Sequence, residues 1–271
     1  NLTLTNTSTS TSSAVVWLQT ATVDGATNNT VKNCNLVGNS NTTTVCGVGS
    51  GSSTISISSL GTGNNNNSFV NNNISKTQYG IISQGASAAS KNTGTVINQN
   101  SINTVSPNNV QIGGIYVGFD NGATISGNTV SGMVSSTDAF GISTGVTSWT
   151  ATTTTGNEVS NAVISKNKIG LVQNTGTNSA AGILVGPSAT GTNQVSNNMV
   201  YGVIANSTPG DLTAGIFTIC GVGATQVYHN TVSMTGDRGA GTTANSIALA
   251  VMGTDPTIDI RNNILVNKQT T

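Results

Sequence analysis

Apolar residues in this chain come in short flights that bracket a polar turn. The pattern apolar-x-x-Asn-x-apolar recurs at residues 31–36 (VKNCNL), 69–74 (FVNNNI), 97–102 (INQNSI), 125–130 (ISGNTV), 164–169 (ISKNKI), 195–200 (VSNNMV), 227–232 (VYHNTV) and 260–265 (IRNNIL). The flanking apolar residues are mostly β-branched, so each motif predicts two short strands meeting at a tight bend, with the flanking side chains turned into a core. The fourth position falls at Cys34, Asn72, Asn100, Asn128, Asn167, Asn198, Asn230 and Asn263, in steps of 38, 28, 28, 39, 31, 32 and 33 residues. An irregular period of about thirty is the length of one coil of a solenoid. An Asn amide carries donors and acceptors, so in a stack of such bends each one can bond the next and also serve backbone groups the turn leaves unpaired. These eight positions are expected to form a structural ladder with a repeat of about 4.8 Å.

A second element follows each bend after a loop of variable length: a small residue, an apolar residue and one free position. It reads Gly47-Val48-Gly49, Gly80-Ile81-Ile82, Gly114-Ile115-Tyr116, Gly141-Ile142-Ser143, Gly182-Ile183-Leu184, Gly215-Ile216-Phe217 and Ser246-Ile247-Ala248, with Val15-Val16-Trp17 in the same register near the start. That makes about eight to nine coils and, at about 4.8 Å per coil, a rod roughly 40 Å long. Strand side chains alternate, so the residue after each inward Val or Ile points outward. Down the stack this column reads Trp17, Gly49, Ile82, Tyr116, Ser143, Leu184, Phe217 and Ala248. Its large members, Trp17, Ile82, Tyr116, Leu184 and Phe217, form an apolar strip of the kind that marks a contact surface, with Trp17, Tyr116 and Phe217 as anchors. The alternative is that the variable loops fold back and cover it.

Composition narrows the class. Charged residues are 6% of the chain and aromatics 4%, which resembles a disordered polar tract. The phased Val and Ile positions argue instead for order, because they supply an inward residue in every coil. No segment has helical periodicity over the length a stable helix needs, and no apolar run reaches transmembrane length, so no membrane insertion is expected. Residues 1–271 read as one continuous domain, expected to be part of a longer polypeptide. The formal net charge is zero and there is no basic stripe, so nucleic-acid binding has no electrostatic footing.

Candidate chemistry is sparse. Cys34, Cys46 and Cys220 show no CxxC pair or metal spacing, so no metal and no cofactor is expected. A Cys34–Cys46 bridge within one coil and two small buried thiols are the alternatives there. The acidic residues Asp24, Asp120, Asp138, Glu158, Asp211, Asp237, Asp255 and Asp259 are scattered, whereas glycoside hydrolysis needs two carboxylates about 5 to 9.5 Å apart. The best catalytic constellation lies near the end of the chain. Motif alignment sets Tyr228 above Arg261 and the single histidine, His229, above Asn262, while Asp259 shares a strand face with Arg261. These four could hold an anionic sugar or move a proton; the simpler reading is a surface ion pair between Asp259 and Arg261. Thr-rich runs at 3–11 and 150–155 cluster within loops instead of recurring once per coil, which disfavours an ice-binding array.

Asn bends on a period near thirty, each followed by a Gly-Ile strand, resemble right-handed parallel β-helix repeats. The phrases VYHNTVSMTG and IDIRNNILVN are similar to coils of very large secreted bacterial surface proteins, many of them exported by the type IX secretion route. The resemblance covers nearly the whole chain. It implies an all-β fold, a right-handed parallel β-helix solenoid of about 8–9 coils with an Asn ladder, and an extracellular or cell-surface location. It also implies a non-enzymatic structural or adhesive stalk whose partners are neighbouring domains, copies of the same protein, or glycans. Two other functions fit the same fold: a polysaccharide-binding or polysaccharide-cleaving β-helix, and a self-assembling filament or surface-layer subunit.

Overall fold

The computed structural model describes residues 2–22, 24–149, 154–239, 242–253 and 257–271, the side chains of 154–156 excepted. Among these residues every regular element is a β-strand. Three long sheets run the length of the stack. A nine-stranded sheet begins with Leu2–Thr5 and ends with Ile264–Thr270. A short-strand sheet of eight runs from Thr30–Lys32 to Ile258–Arg261, and a Gly-Ile sheet of eight from Ser13–Gln19 to Asn245–Met252. Within each sheet neighbours follow chain order at one strand per coil, and the pairings are parallel. The chain is thus an all-β parallel β-helix.

Register follows the motifs. Ile97 pairs with Ile125, and the file continues through Ile164, Val195, Val227 and Ile260, each one coil further on. Together with Ile81, Ile115, Ile142, Ile183 and Ile216, the residues from Ile97 to Val227 fill a continuous aliphatic core. The last coil departs from the expected alignment. Ile216 pairs with Leu249 and Phe217 with Ala250, so the final Gly-Ile register lies two residues beyond Ser246-Ile247-Ala248, and Ala250 ends the outward column. Ile247, expected to point inward, packs on the outer cluster instead, while Ala248 and Leu249 face the inner core. Ser246-Ile247 imitates the small-apolar phrase of the earlier coils, so the local pattern does not fix this register.

The two sequence motifs meet in space. A Cβ on Gly114 would lie 2.2 Å from Val130 Cγ1, one on Gly141 2.3 Å from Ile169 Cγ2, and one on Gly182 2.3 Å from Val200 Cγ1. The last apolar residue of each Asn motif therefore sits where the glycine of the adjoining Gly-Ile strand leaves room. Glycine before the inward Ile is a packing requirement at these positions, not a turn signal.

The bend itself needs a left-handed residue. Asn33, Asn71, Gln99, Gly127, Lys166, Asn197, His229 and Asn262, each directly before a ladder position, all have φ between 52 and 66°. Asn and His tolerate this region better than most residues. A second left-handed column, Asn28, Asn66, Gly94, Gly122 and Asn161, precedes five strands of the short-strand sheet. It lacks a shared apolar frame, so no sequence motif marks it.

Candidate functional site

At the ladder positions the amides meet in file. Asn100 shows the unit: its backbone N–H and its Nδ2 donate to Asn128 Oδ1 at 2.9 and 3.0 Å, and Nδ2 also donates to the Phe69 carbonyl at 2.9 Å. Asn128 repeats this toward Asn167 and Ile97, Asn167 toward Asn198 and Ile125, and Asn198 toward Asn230 and Ile164. Asn72 and Asn230 make the same contacts to Asn100 and Asn263. Cys34 donates its backbone N–H to Asn72 Oδ1, while its thiol turns to the Lys32 carbonyl of its own coil.

The expected outward strip is not a free surface. Ile82, Tyr116, Leu184 and Phe217 are fully buried in a second apolar cluster on the outer side of the Gly-Ile sheet, and Trp17 is half-buried against it. The loops fold back over the column. Ile55 and Ile57 pack on it from one loop, and Val146 and Trp149 from a hairpin that begins with Val146–Trp149. Phe140 lies between Tyr79 and Trp149, with ring centroids 6.1 and 6.3 Å away. Asn157 Nδ2 donates to the Tyr116 hydroxyl at 3.3 Å, and burial pushes that phenol well above its ordinary acidity range. The Trp17 indole donates to the Ser52 carbonyl at 2.9 Å, its ring lying where a Cβ on Gly49 would be. Covering the strip removes apolar area from water, which is favourable in proportion to the area buried.

The catalytic candidates come together only in part. Tyr228 pairs with Arg261 across the sheet. Asp259 accepts from the Tyr228 hydroxyl at 2.7 Å and from Arg261 Nε at 2.7 Å, and Arg261 lies 5.7 Å from the Tyr228 ring centre. The Arg261 and Tyr228 hydrogen bonds hold the Asp259 carboxyl below its usual range, and the bond to Asp259 raises the Tyr228 phenol. His229 belongs to the left-handed bend column beside this trio, its ring 6.5 Å from that of Tyr228.

Two acidic groups that look scattered in sequence are gathered by the stack. Asp138 and Asp211 flank Ser179, which donates its N–H to Asp138 at 3.0 Å and its hydroxyl to Asp211 at 2.9 Å. Asp138 also accepts from Ser148 Oγ and Trp149 N–H; burial raises its carboxyl despite these bonds. Beside the three-stranded side sheet Lys91 pairs with Glu158 at 2.5 Å and donates to Ser160 at 2.8 Å. Asp120, fully buried, accepts from Thr95 Oγ1 at 2.6 Å. Burial pushes its carboxyl up to about 7, opposed by Thr95, the Ala123 N–H and the charge of Lys91. Asn92 pairs with Asp120 in register, and neither of its side-chain amide atoms has a partner among the described residues. Asp255 and residues 150–153 lie outside the described residues.

Among the described residues no three His, Cys, Asp or Glu side chains gather closely enough to hold a metal ion. Cys34, Cys46 and Cys220 are free thiols: Cys34 lies in the nine-stranded sheet and Cys46 in the Gly-Ile sheet, so the two are not bridged. No helix of the described residues is long and apolar enough to cross a membrane.

The outer face of the nine-stranded sheet carries two clefts. One of about 380 Å³ is lined by Thr3, Asn35, Val37, Asn73, Ile74, Ser75, Ser101, Asn103 and Thr104. The other, about 270 Å³, is bordered by Val105, Val134, Leu171 and Ile204. The segment 103–106 stands between them as a wall, with Asn103 and Thr104 toward the first and Val105 and Ser106 toward the second. Compared with protein-family models, curated proteins and solved structures, the chain matches none.

Proposed function

We propose that this chain is part of a secreted or cell-surface structural protein, a stiff β-solenoid rod that spaces or presents contacts. One observation carries the reading: from Asn72 to Asn263 the coils are joined by an unbroken file of amide hydrogen bonds backed by an aliphatic core. Such a stack resists unfolding through nearest-neighbour contacts and needs few ion pairs. Only Lys91–Glu158 and Arg261–Asp259 occur among the described residues. The exposed bends, short strands and loops leave room for contacts along its length. Export by a type IX-like route is the finer form of the proposal, suggested by the repeat phrases.

Proteolysis of intact source cells tests the location. Loss of the signal from an antibody against residues 1–271, with a cytoplasmic marker untouched, is expected. Survival of both overturns a surface location. Reading the full open reading frame tests the export route, which requires a sorting domain beyond the repeats.

A further inference from the structure

We infer that the cleft on the nine-stranded sheet lined by Thr3, Asn35, Asn73 and Ser101 binds an extended, uncharged polysaccharide lying along the rod axis. This deepens the reading of the chain as a rod that presents contacts, and it rests on that reading. Thr3, Asn35, Asn73, Ser101 and Thr129 are register partners, one in each of five successive coils. They form a straight file of hydroxyls and amides on the outer face, with a repeat of about 4.8 Å, roughly one pyranose ring of an extended glycan per coil.

The file is organised before any ligand arrives. Asn73 Nδ2 donates to Asn35 Oδ1 at 2.9 Å, Asn35 Nδ2 donates to Thr3 Oγ1 at 3.2 Å, and Ser101 Oγ donates to Asn103 Oδ1 at 2.9 Å. Side chains already held in one arrangement lose less freedom on binding. Hydrogen-bonding capacity remains. Among the described residues these bonds leave Asn73 Oδ1 as an acceptor and Asn103 Nδ2 as a donor for a ligand in the cleft.

Charge selects the class of ligand. No lining residue of the cleft is charged, so it offers a polyanion no counter-charge, and a sugar hydroxyl, donor and acceptor at once, matches the mixture of amides and hydroxyls. The polar file stops at Lys168, the register partner of Thr129. Asn103 and Thr104 border the cleft in the coil of Ser101, and its volume of about 380 Å³ falls within the ~300–1,000 Å³ of ordinary ligand sites.

The test is electrophoresis of the whole chain through native gels containing laminarin, dextran, neutral arabinoxylan, galactomannan or alginate. At least one uncharged polymer is expected to retard the protein. Asn35→Ala/Asn73→Ala weakens that retardation about tenfold, the scale of one or two lost hydrogen bonds, and Leu171→Ser in the apolar cleft leaves it unchanged. Should the double variant fold poorly by circular dichroism, Ser101→Val removes a cleft hydroxyl at a strand position and is expected to act in the same direction. The assignment is overturned by migration unaltered in all four uncharged polymers, by retardation in alginate alone, or by folded cleft variants that bind as the parent does. A stable surface-exposed rod indifferent to every glycan would leave the structural reading standing and remove this one.

Discussion

At the scale of single residues, the ladder amides and one buried carboxyl carry the sharpest consequences. Each interior Asn serves groups in both adjoining coils, so its loss strands buried donors and acceptors along with its own bonds. Asn128→Ala leaves the Ile97 carbonyl and the Asn100 N–H without their partner and is expected to cost about 2–4 kcal/mol, given ~1–3 kcal/mol for each unsatisfied buried group. Urea titration followed by circular dichroism measures this; a change below about 0.5 kcal/mol, typical of an ordinary surface substitution, would refute the role. Asp120 behaves differently, because burial raises its carboxyl to about 7 in the folded chain. The folded state therefore binds a proton that the unfolded state has released between about pH 4 and 7. Its contribution is full below that window and is lost as the pH rises through about 7, at up to about 1.4 kcal/mol per unit. Thermal melts from pH 4 to 8 should show this decline in the parent and a flatter profile in Asp120→Asn. Parallel profiles would mean that Asp120 titrates normally.

Among elements, the contact between the Gly-Ile strand and the Asn motif decides how tightly coils stack. Gly141→Ala would place a methyl 2.3 Å from Ile169 Cγ2 and 2.6 Å from the Gly182 carbonyl. Overpacking of this kind costs about 1–3 kcal/mol. A lowered melting temperature is the expected result, and a melt unchanged from the parent would show that the interface has slack. Gly122 separates the two possible origins of such a cost. A Cβ there would meet nothing within 4 Å, yet its φ is +91°, so Gly122→Ala tests backbone strain without crowding. The covered column on the Gly-Ile sheet is also an element-level outcome. Alternation sends Ile81 and Ile82, or Ile115 and Tyr116, to opposite faces, yet both members of each pair are buried. A sheet with a core on both faces reads in sequence like a sheet with one core face and one contact face, because the second core is completed by distant loops such as those holding Ile57 and Trp149.

For the whole molecule, stability in a solenoid accumulates through neighbours, so protection should grade along the rod. Amide exchange followed by mass spectrometry is expected to be slowest in Thr129–Ser135 and Lys168–Asn174 and fastest in Leu2–Thr5 and Ile264–Thr270. Uniform protection would imply all-or-none unfolding instead. The coil repeat, the bend positions and the inward aliphatics were legible in the sequence, since Val31 to Leu265 repeat one local pattern whose period and β-branching are set by backbone geometry. The left-handed residue before each ladder position left a weaker trace, an Asn or His at Asn33, Asn71, Asn197, His229 and Asn262. Tertiary structure alone decided what lies beside what across loops of unequal length: the meeting of Asp138 and Asp211 at Ser179, the cover over Tyr116 and Phe217, and the clefts on the nine-stranded sheet. Those outcomes depend on where an irregular loop lands, and a repeat pattern carries no information about segments that do not repeat.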